Sequence, residues 1–251
     1  MVGVTRAPTH ATSKVVVRSL VRSGFERPVA RLVKVIAGAD VTRLSELVGR
    51  MYTVNASLRA LGPHAFPVAG VVTTAKCPPG DNLGLVKALT MVEAGDILVL
   101  DAQGFDEWCL GGFQLLRHAR ETRGLAGLVV NGAYRDVAEA QEAGFPVYAT
   151  ALAPYSGPKA GPFEVNVPVC CGGVIVQAGD VLSASSEGIV VVPQRSLQDV
   201  ADAILRAAQS ARGDAEAVRA LFDLAERMDC DVVPAASLSP SPALARPGSA
   251  A

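Results

Sequence analysis

Six short β-branched runs bounded by Gly, Pro or Asp constrain this chain most: Val68–Ala75, Ile97–Asp101, Leu128–Asn131, Val147–Ala151, Gly173–Val176 and Ile189–Val192. Helical spacing interrupts them twice, over Asn82–Glu93 and Phe113–Arg123. From Val147 onward strands dominate. The order strand, helix, strand, helix, strand, short helix, then several strands predicts an α/β domain built on a mixed sheet. Half of the 251 residues are hydrophobic and only 5% are aromatic, so the core is to be built from Ala, Val and Leu.

Helical extensions flank that domain. Val15–Leu20, Val29–Ile36 and Val41–Val48 carry helical stripes before it. Ser196–Ala211 and Ala215–Met228 carry them after it. The stretch from Pro234 to Ala251 is Pro, Ser and Ala with little to bury, and is expected to be disordered. The expected division is therefore a helical extension over 1–40, a central domain over 41–195, C-terminal helices over 196–233 and a tail over 234–251.

Charge and cysteine usage narrow the function classes. With 23 basic and 24 acidic residues the net charge is -1, without the basic surplus of a sequence-independent nucleic-acid binder. No apolar run reaches the ~18 residues of a membrane span. Residues 1–25 carry Arg6, Lys14, Arg18 and Arg22 with no acid, yet an ordinary first helix is expected over a transit peptide. Five cysteines, an odd number without a CxxC, fit neither a disulfide framework nor a zinc site. Reduced thiols in the cytoplasm are the expectation.

Chemistry concentrates where the apolar run Gly127-Leu-Val-Val-Asn is expected to enter a Gly turn at Gly132 and then presents Arg135 and Asp136 side by side. A strand's carboxyl end, before a helix, is where open α/β sheets place ligands. The guanidinium could clamp a carboxylate substrate and the Asp could hold a hard metal ion. An exposed ion pair or a helix cap is the bland alternative. Asp136 and Glu139 are three apart and would share a helix face. Gln114 lies 21 positions before Arg135, at a helix start where backbone N–H groups attract anions.

Other residues carry weaker signals. Gly80-Asp81-Asn82 reads as a cap and turn or as support for the site. No lysine has the flanks of a Schiff-base amine; Lys76 and Lys159 alone lie near strands. Cys170-Cys171 lacks a nearby His and reads as packing. His118, four residues after Gln114, reads as a surface or core histidine. Trp108, with Phe105, reads as a lid or an interface anchor.

Four stretches, in this order and spacing, resemble the RraA-like family. They are Pro79-Gly-Asp-Asn82, Arg123 through Asp136, Val167-Pro-Val-Cys-Cys-Gly-Gly-Val174, and Ala178-Gly-Asp180 leading to Glu187-Gly-Ile-Val-Val-Val-Pro193. That family comprises the regulator of ribonuclease activity A, 4-hydroxy-4-methyl-2-oxoglutarate aldolases and oxaloacetate decarboxylases. The resemblance spans Val41 to Pro193 and implies a swivelling β/β/α-type domain. For the enzymes it implies Mg²⁺ or Mn²⁺ held through Asp136 and a small 2-oxo acid held by Arg135. It also implies backbone amides around Gly112, Phe113, Gln114, Leu115 and Leu116 on the pyruvyl carboxylate, and active sites at the contacts of a homotrimer or hexamer.

Departures from the family pattern are equally legible. Gln114 stands where the first version of the motif has its catalytic acid. A second version lacks that acid and has one three residues after the Arg-Asp pair, where this chain has Glu139. Phe113 replaces a Gly and is expected to crowd the substrate loop. Asn131 stands where Asp is common, as do Ser185 or Ser186. The expected activity is retro-aldol cleavage or decarboxylation, with catalytic Arg135, Glu139 and Gln114. The rival expectation is a non-enzymatic regulator that binds an RNA-degrading enzyme.

Overall fold

The computed structural model describes residues 17–209 and 213–229. The strands are β1 (Leu20–Val21), β2 (Arg59–Ala60), β3 (Val68–Lys76), β4 (Ile97–Asp101), β5 (Gly127–Tyr134), β6 (Val147–Leu152), β7 (Glu164–Val165), β8 (Val169–Cys171), β9 (Val174–Val176), β10 (Val181–Ser185) and β11 (Gly188–Val192). The helices are α1 (Ala30–Ala37), α2 (Val41–Val48), α3 (Leu83–Leu89), α4 (Phe113–Arg123), α5 (Val137–Glu142), α6 (Leu197–Gln209) and α7 (Gly213–Arg227). The expected α/β class with a mixed sheet is what forms.

Nine strands make one sheet, ordered β1-β7-β3-β4-β5-β6-β2, with β10 and β11 branching from β3. The central strands β3, β4, β5 and β6 are parallel, each joined to the next through α3, α4 or α5. Parallel neighbours require such crossovers, and this aligns the strands' carboxyl ends along one edge. Strand β3 serves three partners: Val68–Val71 pairs antiparallel with β10, Val72–Lys76 pairs parallel with β4, and Ala75 and Lys76 also pair antiparallel with β7.

The period of two along a strand divides the core. Leu98, Leu100, Leu128 and Val130 face α3, α4 and α5, meeting Leu85, Phe113, Leu116 and Ala140. Ile97, Val99 and Val129 face the other way, against Val169, Val176, Leu182 and Val191 of the smaller strands. A third cluster joins Ile36 of α1, Leu44 of α2, and Leu197 and Val200 of α6 over Val181 and Val190. The layers are thus helix, sheet and a second β layer. The described residues from 208 onward belong to a separate unit. Its helix α7 carries Val218, Leu221, Phe222 and Leu224 as exposed residues.

Two local expectations change. The described part of Val15–Leu20 is not helical: Leu20 and Val21 pair with Glu164 and Val165. Leu20 and Arg22 donate backbone hydrogen bonds to Phe163 O and Val165 O, so an edge strand satisfies this segment. The Gly132 turn is also absent. Strand β5 continues to Tyr134 with a register shift between Val130 and Ala133, and a Cβ on Gly132 would stand 2.9 Å from Phe105 O. The tail expected to be disordered, 234–251, lies outside the described residues.

Candidate active site

Strand β5 delivers Arg135 and Asp136 at the carboxyl edge of the sheet, where the backbone must turn into α5. Asp136 makes that turn itself as the residue before the helix, at φ 59 and ψ 37. Asp tolerates this left-handed conformation better than most residues. Strain of this kind costs ~1–3 kcal/mol and clusters at functional sites. The turn points the carboxylate at the N-terminus of α4. There Phe113 N–H donates to Asp136 Oδ2 at 3.1 Å. Gly112 supplies no cap of its own, so Asp136 serves as the anion that a helix N-terminus favours.

Gly112 is what permits this approach. A Cβ there would lie 2.1 Å from Asp136 Oδ2 and 3.3 Å from Arg135 Nε. Arg135 Nη1 donates to Pro154 O at 3.0 Å, which fixes the guanidinium. Its Nε is buried without a hydrogen-bond partner and lies 3.7 Å from Asp136 Oδ2. An orphaned donor on a positive group beside a partly exposed carboxylate is an unfinished polar site.

Glu139 sits in the first turn of α5 and meets α4 at the same edge. Gln114 Nε2 donates to Glu139 Oε2 at 2.8 Å. Arg117 Nη2 approaches the same oxygen to 3.6 Å, and its guanidinium carbon stands over the Phe113 ring, 5.2 Å from the centroid. Strand β5 and helices α4 and α5 thus bring together Gly112, Gln114, Arg135, Asp136 and Glu139.

Phe113, Leu115 and Leu116 behave differently from the expectation. Phe113 is fully buried and packs on Phe145 with ring centroids 5.8 Å apart. Its side chain faces the core and does not crowd the loop, because the spacing of Phe113, Leu116 and Ala119 puts all three on α4's inner face. Leu116 is likewise core. Of the backbone amides expected to face substrate, Phe113 N–H is engaged by Asp136 and Leu115 N–H by Gly112 O.

Beneath the site, Tyr134 and Cys109 are fully buried. Burial, and next the Asp136 charge, push the Tyr134 phenol well above its ordinary value; burial also raises the Cys109 thiol. Both are neutral groups at physiological pH. The Tyr134 hydroxyl has no hydrogen-bond partner among the described residues.

The remaining candidates take structural places. Asp81 Oδ1 accepts Leu83 N–H, and its Oδ2 accepts the N–H groups of Ala160 and Gly161, tying the start of α3 to a distant loop. Asn131 donates to Asp101 Oδ1 at 3.1 Å. A carboxylate at 131 would oppose the buried Asp101, so the amide replaces repulsion with a hydrogen bond. Ser185 Oγ accepts Glu187 N–H in the β10–β11 turn. Lys76 and Lys159 are exposed, without the desolvation a Schiff-base amine needs. Cys171 is buried and its thiol raised by burial. His118 is exposed beside a groove between α3 and α4. Trp108 packs edge-on against Phe105 and Tyr155, above Gly80.

Nothing in the residue pattern points to Pro154 as the anchor of Arg135. Arg117 was detectable, because it follows Gln114 by three on one helix. Among the described residues no three His, Cys, Asp or Glu side chains cluster to hold a metal, and no helix is long and apolar enough to cross a membrane.

Known proteins are similar to this chain over most of its length. The family model RraA-like: Aldolase/RraA matches residues 33–191. A Halalkalibacterium halodurans protein, named a candidate 4-hydroxy-4-methyl-2-oxoglutarate aldolase, is 31% identical over 183 residues, covering 72% of this chain and 84% of its own. The 4-hydroxy-4-methyl-2-oxoglutarate aldolase of Thermus thermophilus is 35% identical, covering 62% of this chain and 93% of its own. The crystal structure of Streptomyces coelicolor RraAS2, titled an unusual member of the RNase ES inhibitor RraA family, superposes with a TM-score of 0.64 at 29% identity. It covers 75% of this chain and 97% of its own.

Proposed function

The chain belongs to the RraA-like family, and from that premise we propose a divalent-metal-dependent lyase that cleaves a small 2-oxo acid by retro-aldol reaction or decarboxylation. The observation that carries this reading is the convergence of Arg135 and Asp136 on Gly112, with Glu139 held one helical turn away by Gln114.

The residues fit Mg²⁺ or Mn²⁺. Asp136 offers a partly exposed, hard oxygen donor in a cradle that a Cβ at Gly112 would fill. Mg²⁺ keeps several waters and needs only one or two protein carboxylates. When bound, the ion supplies Lewis-acid polarisation of the 2-oxo group.

The chain's own groups do the rest. The partly exposed Arg135 guanidinium donates to the substrate's carboxylate or oxo oxygen and stabilises charge developing there. Gln114 N–H, the amide of α4's first turn not taken by Asp136 or Gly112 O, orients the anionic end. Glu139 moves the proton: it accepts one from the hydroxyl whose carbon–carbon bond breaks, and returns one to C3 of the pyruvyl fragment. In decarboxylation only the return step is needed. Gln114, an amide, positions Glu139 and transfers no proton.

A second reading is a protein-binding regulator of an RNA-degrading enzyme. Gln114 favours it, since an amide stands where the family's acid is expected. Pyruvate release from oxaloacetate and from 4-hydroxy-4-methyl-2-oxoglutarate separates the two. The lyase predicts turnover with Mg²⁺ or Mn²⁺ that excess EDTA abolishes, and that Asp136→Asn removes while the protein stays folded. Absence of turnover with both ions overturns the lyase in favour of the regulator; turnover unaffected by EDTA overturns the metal.

The proposal includes self-association as a homotrimer or hexamer in the cytoplasm, with no nucleic-acid or membrane partner. Exposed Leu152 and Tyr155, at the same edge of the sheet as Arg135, offer apolar surface for a neighbouring copy. A monomeric mass by light scattering at micromolar concentration counts against it.

A further inference from the structure

At the carboxyl ends of β3 and β4 the chain holds a cavity of about 230 Å³, lined by neither Arg135 nor Asp136. Pro78, Pro79, Pro162 and Phe163 give it apolar walls. Its charged lining is Lys76 and Arg18 against Glu164, a surplus of one positive charge. Among the described residues neither the Lys76 ammonium nor the Arg18 guanidinium makes a hydrogen bond or an ion pair.

Lys76 is left unpaired despite two acidic neighbours in register, Asp101 on β4 and Glu164 on β7. The Asp101 carboxylate is engaged elsewhere. Its Oδ1 accepts from Gln103 N–H and the Asn131 amide, and its Oδ2 from Cys170 N–H. An ammonium group at a cavity, with its nearest buried acid already satisfied, keeps its charge available to a ligand.

Gln103 adds a polar group to the same wall. It follows β4 much as Asp136 follows β5, and it too is left-handed, at φ 59. Among the described residues only Gln103, Asp136 and Asn166 are non-glycine residues with positive φ. The Gln103 amide reaches Cys77 O at 3.4 Å and lines the cavity.

We propose that this cavity is a second ligand site, for a small monocarboxylate with a short hydrocarbon body. Lys76 and Arg18 hold the carboxylate, and the prolines and Phe163 cover the hydrocarbon. The volume lies below the ~300 Å³ at which small-molecule sites ordinarily begin, which excludes a nucleotide. The charge surplus selects an anion over a cation, and its size matches one negative charge. The site is independent of the lyase reading.

Calorimetric titration of the full chain with hexanoate, hexanamide and hexylammonium tests this. Hexanoate is expected to bind with a Kd on the order of 1 mM or tighter, hexanamide at least about tenfold more weakly, and hexylammonium not at all. Lys76→Gln and Arg18→Gln change exposed side chains, and each should weaken hexanoate by about tenfold with an unchanged thermal midpoint. Asp136→Asn should leave hexanoate binding as it was. The proposal is overturned if hexanoate gives no binding at about 10 mM, or if hexanamide binds equally well. It is also overturned if binding survives both charge changes or vanishes in Asp136→Asn.

Discussion

Gln114 Nε2 and Glu139 Oε2 lie 2.8 Å apart, a hydrogen bond that joins the first turn of α4 to the first turn of α5. An amide stands where the family resemblance leads one to expect an acid, and it holds the acid carried by the neighbouring helix. The bond holds Glu139 against α4; in the proposed lyase Asp136 holds the ion and Glu139 handles the proton.

If Glu139 transfers the proton, Glu139→Gln lowers kcat by roughly 10²–10⁴-fold. A solvated helix residue would instead change stability by under ~0.5 kcal/mol and leave the rate alone. The swap Gln114→Asp with Glu139→Gln exchanges carboxylate and amide between the two helices, although Asp is one methylene shorter than Gln. It is expected to recover part of the lost rate. Steady-state kinetics on oxaloacetate reads both effects, and unchanged kinetics in Glu139→Gln removes Glu139 from the mechanism.

Gly112→Ala isolates the approach of α4 to Asp136. Gly112 has an extended backbone, φ -116 and ψ 166, that alanine adopts freely. Any effect therefore comes from the Cβ, which would sit 2.1 Å from Asp136 Oδ2. Displacing a reacting group by ~1 Å can cost about 10²-fold in rate. Turnover should fall by about that factor and Mn²⁺ binding by calorimetry should weaken, with the thermal midpoint nearly unchanged. Full activity in this variant would show that Asp136 works from another position.

The legible parts of this fold are those where periodicity and burial coincide. Helices α2 and α4 and strand β4 span the residues their apolar spacing marks, because each buries one continuous stripe or both faces. Strand β10 was not legible: Val181-Leu-Ser-Ala-Ser carries little β-branched character and is a strand because it pairs with β3 and β11. Strands β2 and β7, of two residues each, exist only through their partners. At the site, the adjacency of Arg135 and Asp136 is sequence, but the αL turn that aims Asp136 at Gly112 is tertiary. Phe113 shows the converse. Its helical spacing with Leu116 marked a core residue, and comparison with the family pattern drew attention to the substrate loop instead.

Arg27 and Asp96 form a latch between the segment before α1 and the turn before β4. Arg27 Nη1 and Nη2 donate to the two oxygens of Asp96 at 2.8 and 2.9 Å. Asp96 is fully buried and also accepts from Thr73 Oγ1 and Glu93 N–H. Removing one partner of a buried pair leaves an uncompensated charge, which costs about 3 kcal/mol. Arg27→Met should lower the free energy of urea unfolding by about that amount. Adding Asp96→Asn should cost less than the two single changes summed, since the orphaned charge is gone. Strict additivity would mean that the pair is not coupled.

Cys77 gives stability an alkaline edge. The thiol is 1% exposed, and burial pushes it from about 9 to about 11. It is packed closely enough that a Cβ on Gly84 would stand 2.6 Å from its sulfur. Because the folded value exceeds the unfolded one, the folded state favours the protonated thiol. The contribution is complete below pH 9 and is lost as pH rises through 11, a change on the order of 2 kcal/mol. Cys77→Ala loses packing at every pH but has no thiol to ionise. The stability gap between parent and variant should therefore narrow between pH 8 and pH 11, while tyrosines and lysines titrate alike in both proteins. Urea denaturation at the two pH values measures the gap, and a constant gap would mean that the Cys77 thiolate is tolerated in the core.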